Sequence, residues 1–245
     1  MSVRSAVIHA AGLLPGPRIG RLCIFTSGRT GSELLVDLLD SHPRMRCEGE
    51  ILRNPQGDAV RFVRGRVRVA AFRGNEAYGF KFITGQTWSL GRRMELRNFA
   101  EALSTDGFRH VRLRRRNLLR QALSQLRAGQ TRRFHVRTDV AASALPIDPV
   151  QLIYTMCSME LNDMYLDRQL EGRDPVELVY EDHLESEAAR GPALARLFEL
   201  AGLDPLPPST DLRKQTPASL TDAIANYDEV ATALRATRYA RYLDD

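Results

Sequence analysis

The stretch RLCIFTSGRTGSELLVDLLDSHP, residues 21–43, decides the fold. An apolar run, Leu22 to Phe25, is long enough for a buried strand and too short for a helix. It ends in a turn of small residues, Ser27 to Ser32, with glycines at 28 and 31. Leu34, Leu35, Leu38 and Leu39 then recur at helical spacing, and Pro43 lies just past the end. Strand, glycine turn and helix together make a cradle for an anion. The turn's N–H groups and the positive end of the helix face the same point. The turn lacks the lysine that a nucleotide-triphosphate loop places after its second glycine. An arginine, Arg29, stands inside the turn instead, with the hydroxyls of Thr30 and Ser32 beside it. The same residues also suit a plain helix start with serine and threonine caps, which needs no ligand.

The rest of the chain repeats the alternation. Strands are expected at 21–26, 78–83, 109–114 and 176–180. Helices are expected at 31–41, 55–72, 90–104, 117–128, from Asp148-Pro149 to about 172, and at 186–201. Alternating strands and helices predict a parallel sheet covered on both faces: a three-layer α/β fold, P-loop-like in its first turn. In such sheets ligands sit beyond the carboxyl ends of the strands. The 245 residues fit a single domain, 1–245. Residues 1–20 read as an N-terminal arm, 127–147 as a mobile loop, and 205–245 as a C-terminal segment over the site.

Net charge is +5, and 35 residues are lysine or arginine, of which only Lys81 and Lys214 are lysines. That balance suits anionic ligands. The three cysteines, Cys23, Cys47 and Cys157, are far apart and odd in number, so they outline neither a disulfide framework nor a metal site, and a reducing cytoplasm fits them. No apolar run reaches the ~20 residues of a membrane helix. No nucleic-acid motif stands out.

A second cationic cluster closes the third expected strand. In VRLRRRNLLRQALSQ, residues 111–125, Arg114, Arg115 and Arg116 leave the strand and a helix begins at Asn117. Ser124 follows Arg116 by eight residues, about 12 Å along a helix. Two anion sites on one sheet edge point to a ligand with two separate phosphates.

With both sites in view, the chain resembles the sulfotransferases that use 3′-phosphoadenosine 5′-phosphosulfate (PAPS). Within them it looks most like the small bacterial carbohydrate, Nod-factor type. Arg29-Thr30-Gly31-Ser32 matches the family's 5′-phosphosulfate loop, and Arg116 with Ser124 its 3′-phosphate pair. "SHP…GEIL", "VYEDHL" and "LRKQTPASLTDAIANYDEV" follow in the family's order. The loop departs from the pattern in having Ser27-Gly28 where a proline commonly precedes the basic residue. The arginine run is also denser than usual, which leaves Arg115 and Arg116 both open for the 3′-phosphate.

The resemblance implies transfer of a sulfuryl group to a hydroxyl or amine of a carbohydrate or glycolipid, with PAPS as donor and no metal. It implies that Ser27, Gly28, Arg29, Thr30, Gly31, Ser32 and Glu33 hold the 5′ end. Arg116 and Ser124 would hold the 3′-phosphate, and Arg213, Lys214 and Gln215 would close over it. Glu50 in RCEGEIL is the expected general base and Glu48 the reserve. Lys81, inside an otherwise apolar strand, either snorkels to the sheet edge or approaches the sulfuryl group or Glu50. Two other readings share parts of this pattern: a nucleotide kinase, and a non-catalytic polyanion binder.

Overall fold

The computed structural model describes residues 3–13, 16–53, 57–90, 95–131, 143–212, 217 and 219–244. Its strands are β1 (Gly20–Thr26), β2 (Met45–Glu48), β3 (Ala77–Ile83), β4 (Arg109–Arg114) and β5 (Val176–Val179). They form one five-stranded sheet in the order β2-β3-β1-β4-β5, parallel throughout. The helices are α1 (Val3–Ala11), α2 (Ser32–Asp40), α3 (Ala59–Phe72), α4 (Leu96–Thr105) and α5 (Leu118–Thr131). After them come α6 (Pro149–Leu170), α7 (Tyr180–His183), α8 (Glu187–Leu200), α9 (Leu220–Ala223) and α10 (Tyr227–Arg235). The architecture is the expected three-layer α/β sandwich.

The two faces follow from the period of two along each strand. On β1, Leu22 and Ile24 pack with α2 and α8, and Cys23 and Phe25 pack with α3, α4 and the end of α6. Both sets are apolar because both faces are covered, as parallel sheets require. On β3, Tyr78, Phe80 and Phe82 join the α3/α4 side, whereas Ala77 joins the α2 side. The pleat therefore turns Lys81 toward α2. On β4, Val111 and Leu113 join the α2/α8 side, so Arg112 faces α6. A third apolar cluster joins α5 and α6 to α9, α10 and the single-turn segment Arg238–Tyr242.

Several boundaries differ from the sequence expectation. β2 was not expected: four residues alternating Met, Arg, Cys, Glu carry too little apolar signal, although Met45 and Cys47 are buried against β3. The helix expected from residue 90 begins at Leu96, and residues Thr84–Leu90 form a 3-10 segment instead. α5 runs on to Thr131, so the start of the expected mobile loop is helical. Arg127 is buried there and donates to the carbonyls of Ser143 and Ala223. The amino-terminal arm contains α1, which lies on α3. Gly65 permits this approach, because a Cβ there would stand 1.9 Å from the Ile8 carbonyl oxygen. α6 starts as its sequence signals predict, with Asp148 accepting from the N–H of Val150 (2.8 Å) and Gln151 (3.3 Å), and Pro149 in the first turn. Among the described residues no helix is long and apolar enough to cross a membrane.

Candidate functional site

β1 leads into the turn Ser27–Gly31 at the carboxyl edge of the sheet. Arg29 has φ 64° and Gly31 has φ 84°. Left-handed residues in close succession turn backbone N–H groups toward one side, a concavity suited to an anion. Gly31 is required on two grounds. Its φ is left-handed, and a Cβ would stand 2.4 Å from the Tyr180 ring. Gly31 is also the N-cap of α2, and no side chain caps that helix. The caps that would make the turn an ordinary helix start are therefore not made. The first N–H groups of α2 keep their donor capacity.

The turn's own hydroxyls do not all face outward. Ser27 is fully buried, and its Oγ donates to Asp163 Oδ1 (3.0 Å) and accepts from Gln121 Nε2 (3.1 Å). Gln121 Nε2 also donates to the Gly28 carbonyl (2.6 Å). Thr30 Oγ1 is turned back on Thr26 Oγ1 (2.5 Å) and the Ser27 carbonyl (3.3 Å). Ser27 and Thr30 thus hold the shape of the turn. Arg29 does not turn inward: its Nε donates to Ser124 Oγ at 2.9 Å, across to the second turn of α5.

β4 is the immediate neighbour of β1, with Thr26 opposite Leu113. The arginines at its end separate into three roles. Arg114 pairs with Glu177 (3.0 Å) and Asp167 (3.1 Å). Arg116 is exposed and pairs with Asp182. Arg115 is the one directed into the site. It lies over the Tyr180 ring at 4.8 Å, with Nη1 3.5 Å from the Arg29 carbonyl and Nε 3.6 Å from Glu181. Burial lowers the pKa of both Arg115 and Arg29, and for Arg29 the charge of Arg115 adds to the effect. Two desolvated cations this close together, Arg29 and Arg115, favour an anion beside them. Glu181 accepts from the N–H of Arg116 (2.9 Å) and Asn117 (3.2 Å), which fixes the start of α5. Arg116 and Ser124, matched as a pair in the sequence, do not touch; Arg29 and Ser124 do.

The glutamates following α2 separate as well. Glu48 is held by Arg66, through Nε at 2.8 Å and through Nη2, and by the Tyr78 hydroxyl at 2.8 Å. Both of its carboxylate oxygens are engaged. Glu50 lies just beyond β2, half-buried, 3.6 Å from Lys81 Nζ. Lys81 is almost fully buried and its ammonium pairs with Glu33, in the first turn of α2. One lysine therefore ties Glu50 to the helix that begins at the anion turn. It does not snorkel to water. Arg213, Lys214 and Gln215 lie outside the described residues.

The residues that sequence reasoning missed lie beneath the turn. Arg112 is fully buried. It donates to Asp163 Oδ1 (2.8 Å), Asp167 Oδ1 (3.0 Å) and the Leu113 carbonyl (2.8 Å). Asp163 thereby receives Arg112 and Ser27 on one oxygen and anchors the turn to α6. A signal existed: arginines at alternate positions of β4, and acids four apart on α6. No protein-family model matches the chain, and no curated protein matches it.

Proposed function

We propose that the chain is a sulfotransferase that moves a sulfuryl group from PAPS to a hydroxyl or amine of an acceptor, a carbohydrate or glycolipid. The observation that carries this reading is the hydrogen bond from Arg29 to Ser124. It joins at one sheet edge the two elements that the sequence suggests for anions and keeps 95 residues apart. Arg29, Arg115, Ser124 and the N–H groups of the turn would hold the two phosphates of the donor. The uncapped start of α2 and the positive φ values of Arg29 and Gly31 fit that load.

Bound there, PAPS supplies the sulfuryl group. The chain's own groups supply the rest. Glu50 takes the proton from the acceptor hydroxyl as the new O–S bond forms, acting as general base. Arg29 and the backbone N–H groups stabilise the negative charge left on the departing phosphate oxygens, in the manner of preorganised donors in a phosphoryl-transfer site. Lys81 orients Glu50 and, through Glu33, keeps it in register with the turn. Arg115, already seated on Tyr180, is preferred over Arg116 for the 3′-phosphate, since Arg116 is engaged at the surface by Asp182.

The test is binding of 3′-phosphoadenosine 5′-phosphate by calorimetry in the presence of EDTA, followed by transfer of labelled sulfate from PAPS to a panel of carbohydrate and glycolipid acceptors. Micromolar binding without metal and label in an acceptor are expected. A preference for ATP with Mg²⁺ would overturn the proposal in favour of a kinase.

A further inference from the structure

Half of the large apolar side chains that the described residues expose lie on one helix, α6: Val150, Tyr154, Leu161, Met164 and Tyr165. The others are dispersed over α1, the turn after it, α3, α8 and the loop that follows α8. At ~100° per residue the five fall within about 100° of one another around the helix axis, so they form a single stripe, roughly 22 Å long. The opposite face, with Leu152, Met156, Met159 and Leu166, is spent on the core. No charged side chain interrupts the stripe. The acids of α6 are turned elsewhere: Glu160 pairs with Arg238, Asp163 with Arg112, and Asp167 with Arg112 and Arg114.

The five side chains are 40% to 76% exposed. Taking ~200 Å² for a large side chain, they offer roughly 600 Å² of mostly apolar surface. That is the upper end of what a monomer leaves to water, and most of the ~800 Å² that each partner gives to a stable interface. The stripe is also symmetric about its own middle. Val150 and Tyr165 stand equally far from the point between Cys157 and Ser158, and so do Tyr154 and Leu161. A two-fold axis through that point lays a second copy's helix antiparallel, with Val150 against Tyr165 and Tyr154 against Leu161, each twice. The central Cys157 and Ser158 are small, so the two backbones can approach there. A stripe this long favours the shallow crossing of about 20° over the steeper class. The ends match in charge. Arg168, exposed on the same face one turn further on, arrives at the start of the other helix. There Asp148 is exposed and caps its helix through Oδ1 alone.

We infer that α6 is the two-fold interface of a homodimer, in which two copies of the chain pack their α6 helices antiparallel through this stripe. The inference does not rest on the proposed sulfuryl transfer. It bears on that site because α6 carries Asp163, which holds Ser27 of the anion turn, so pairing the helices steadies the support of both turns.

The full chain is sedimented between about 0.5 and 50 μM, where an interface of standard size and modest affinity dissociates. A mass of twice 27.6 kDa is expected in the upper part of that range. Leu161→Glu, at an exposed position, raises the dissociation constant at least ~100-fold and leaves the circular dichroism of the single chain unchanged. Arg168→Glu sets a like charge against Asp148 and raises it about tenfold, an effect that shrinks at high salt. Phe72→Glu, at the exposed end of α3, leaves it within about threefold. Cys157 reports the register, because Cys23 and Cys47 are buried: a short bismaleimide joins two copies, and Cys157→Ser abolishes the joined species. A single-chain mass throughout the range overturns the inference. Flotation of that single chain with phosphatidylcholine vesicles, lost in Leu161→Glu, would then assign the stripe to a lipid surface. A dimer that survives Leu161→Glu, or that Cys157 does not cross-link, overturns it equally, since the copies then meet through another face.

Discussion

Arg29 and Ser124 are joined by a hydrogen bond of 2.9 Å from Nε to Oγ, between the turn after β1 and the second turn of α5. Their strands are neighbours, and each residue lies beyond a strand's carboxyl end. In the proposed enzyme Arg29 serves the departing phosphate and Ser124 the 3′-phosphate of one donor. Arg29→Ala is expected to lower turnover by roughly 10²–10³-fold, the loss typical of removing a charge-stabilising donor. Ser124→Ala should instead weaken 3′-phosphoadenosine 5′-phosphate binding by about tenfold, with a smaller change in the single-turnover rate of the saturated enzyme. Equal effects of Ser124→Ala on binding and chemistry would remove this division of labour.

The two glutamates around Gly49 should fail in different ways. Glu50→Gln is expected to leave cofactor affinity intact and lower turnover by about 10²-fold or more. Glu48→Gln weakens the grip of Arg66 and Tyr78, so it should cost stability, about 2 kcal/mol, with far less effect on turnover per folded molecule. Urea denaturation and kcat for both variants decide it. Loss of turnover in Glu48→Gln alone would exchange their roles.

Arg112 is buried on every side and balanced by Asp163 and Asp167. Asp163→Ala leaves that cation half-paired and also releases Ser27, so a loss of about 3 kcal/mol is expected in denaturant unfolding. Asp167 is more exposed and also shared with Arg114, and Asp167→Ala should cost less.

His110 stands edge-on to Phe25 at 5.1 Å, and its pKa falls to about 4, first through burial and then through the charge of Arg173. A base whose folded pKa lies below its unfolded value of about 6.5 binds more protons when unfolded, so stability rises with pH across that interval. The contribution is complete above about pH 6.5 and is lost as pH falls toward 4, about 3 kcal/mol in all. His110→Gln should flatten the stability profile between those limits. An unchanged slope would assign the acid sensitivity elsewhere.

The sequence disclosed the strand, turn and helix of residues 21–43 because a buried parallel strand and an amphipathic helix have different periods, and small residues separate them. It did not disclose β2, whose inward face is only Met45 and Cys47. Nor did it say which hydroxyls face a ligand. Ser27 and Thr30 turn inward because their direction follows the backbone angles of the turn and partners as remote as Asp163, 136 residues away. Arg115 and Arg116 were equivalent as letters. Consecutive residues leaving a strand diverge, and Tyr180 and Asp182, on a different strand's exit, receive one each.

The outermost strands are also the shortest, four residues each, and each turns a charged side chain to solvent: Arg46 on β2 and Glu177 on β5. A sheet grows by recruiting strands at its rim, and a rim this brief and this charged gives an incoming chain few backbone groups to pair with. The chain thus guards itself against edge-to-edge aggregation while its long central strands, β1 and β3, stay enclosed between neighbours.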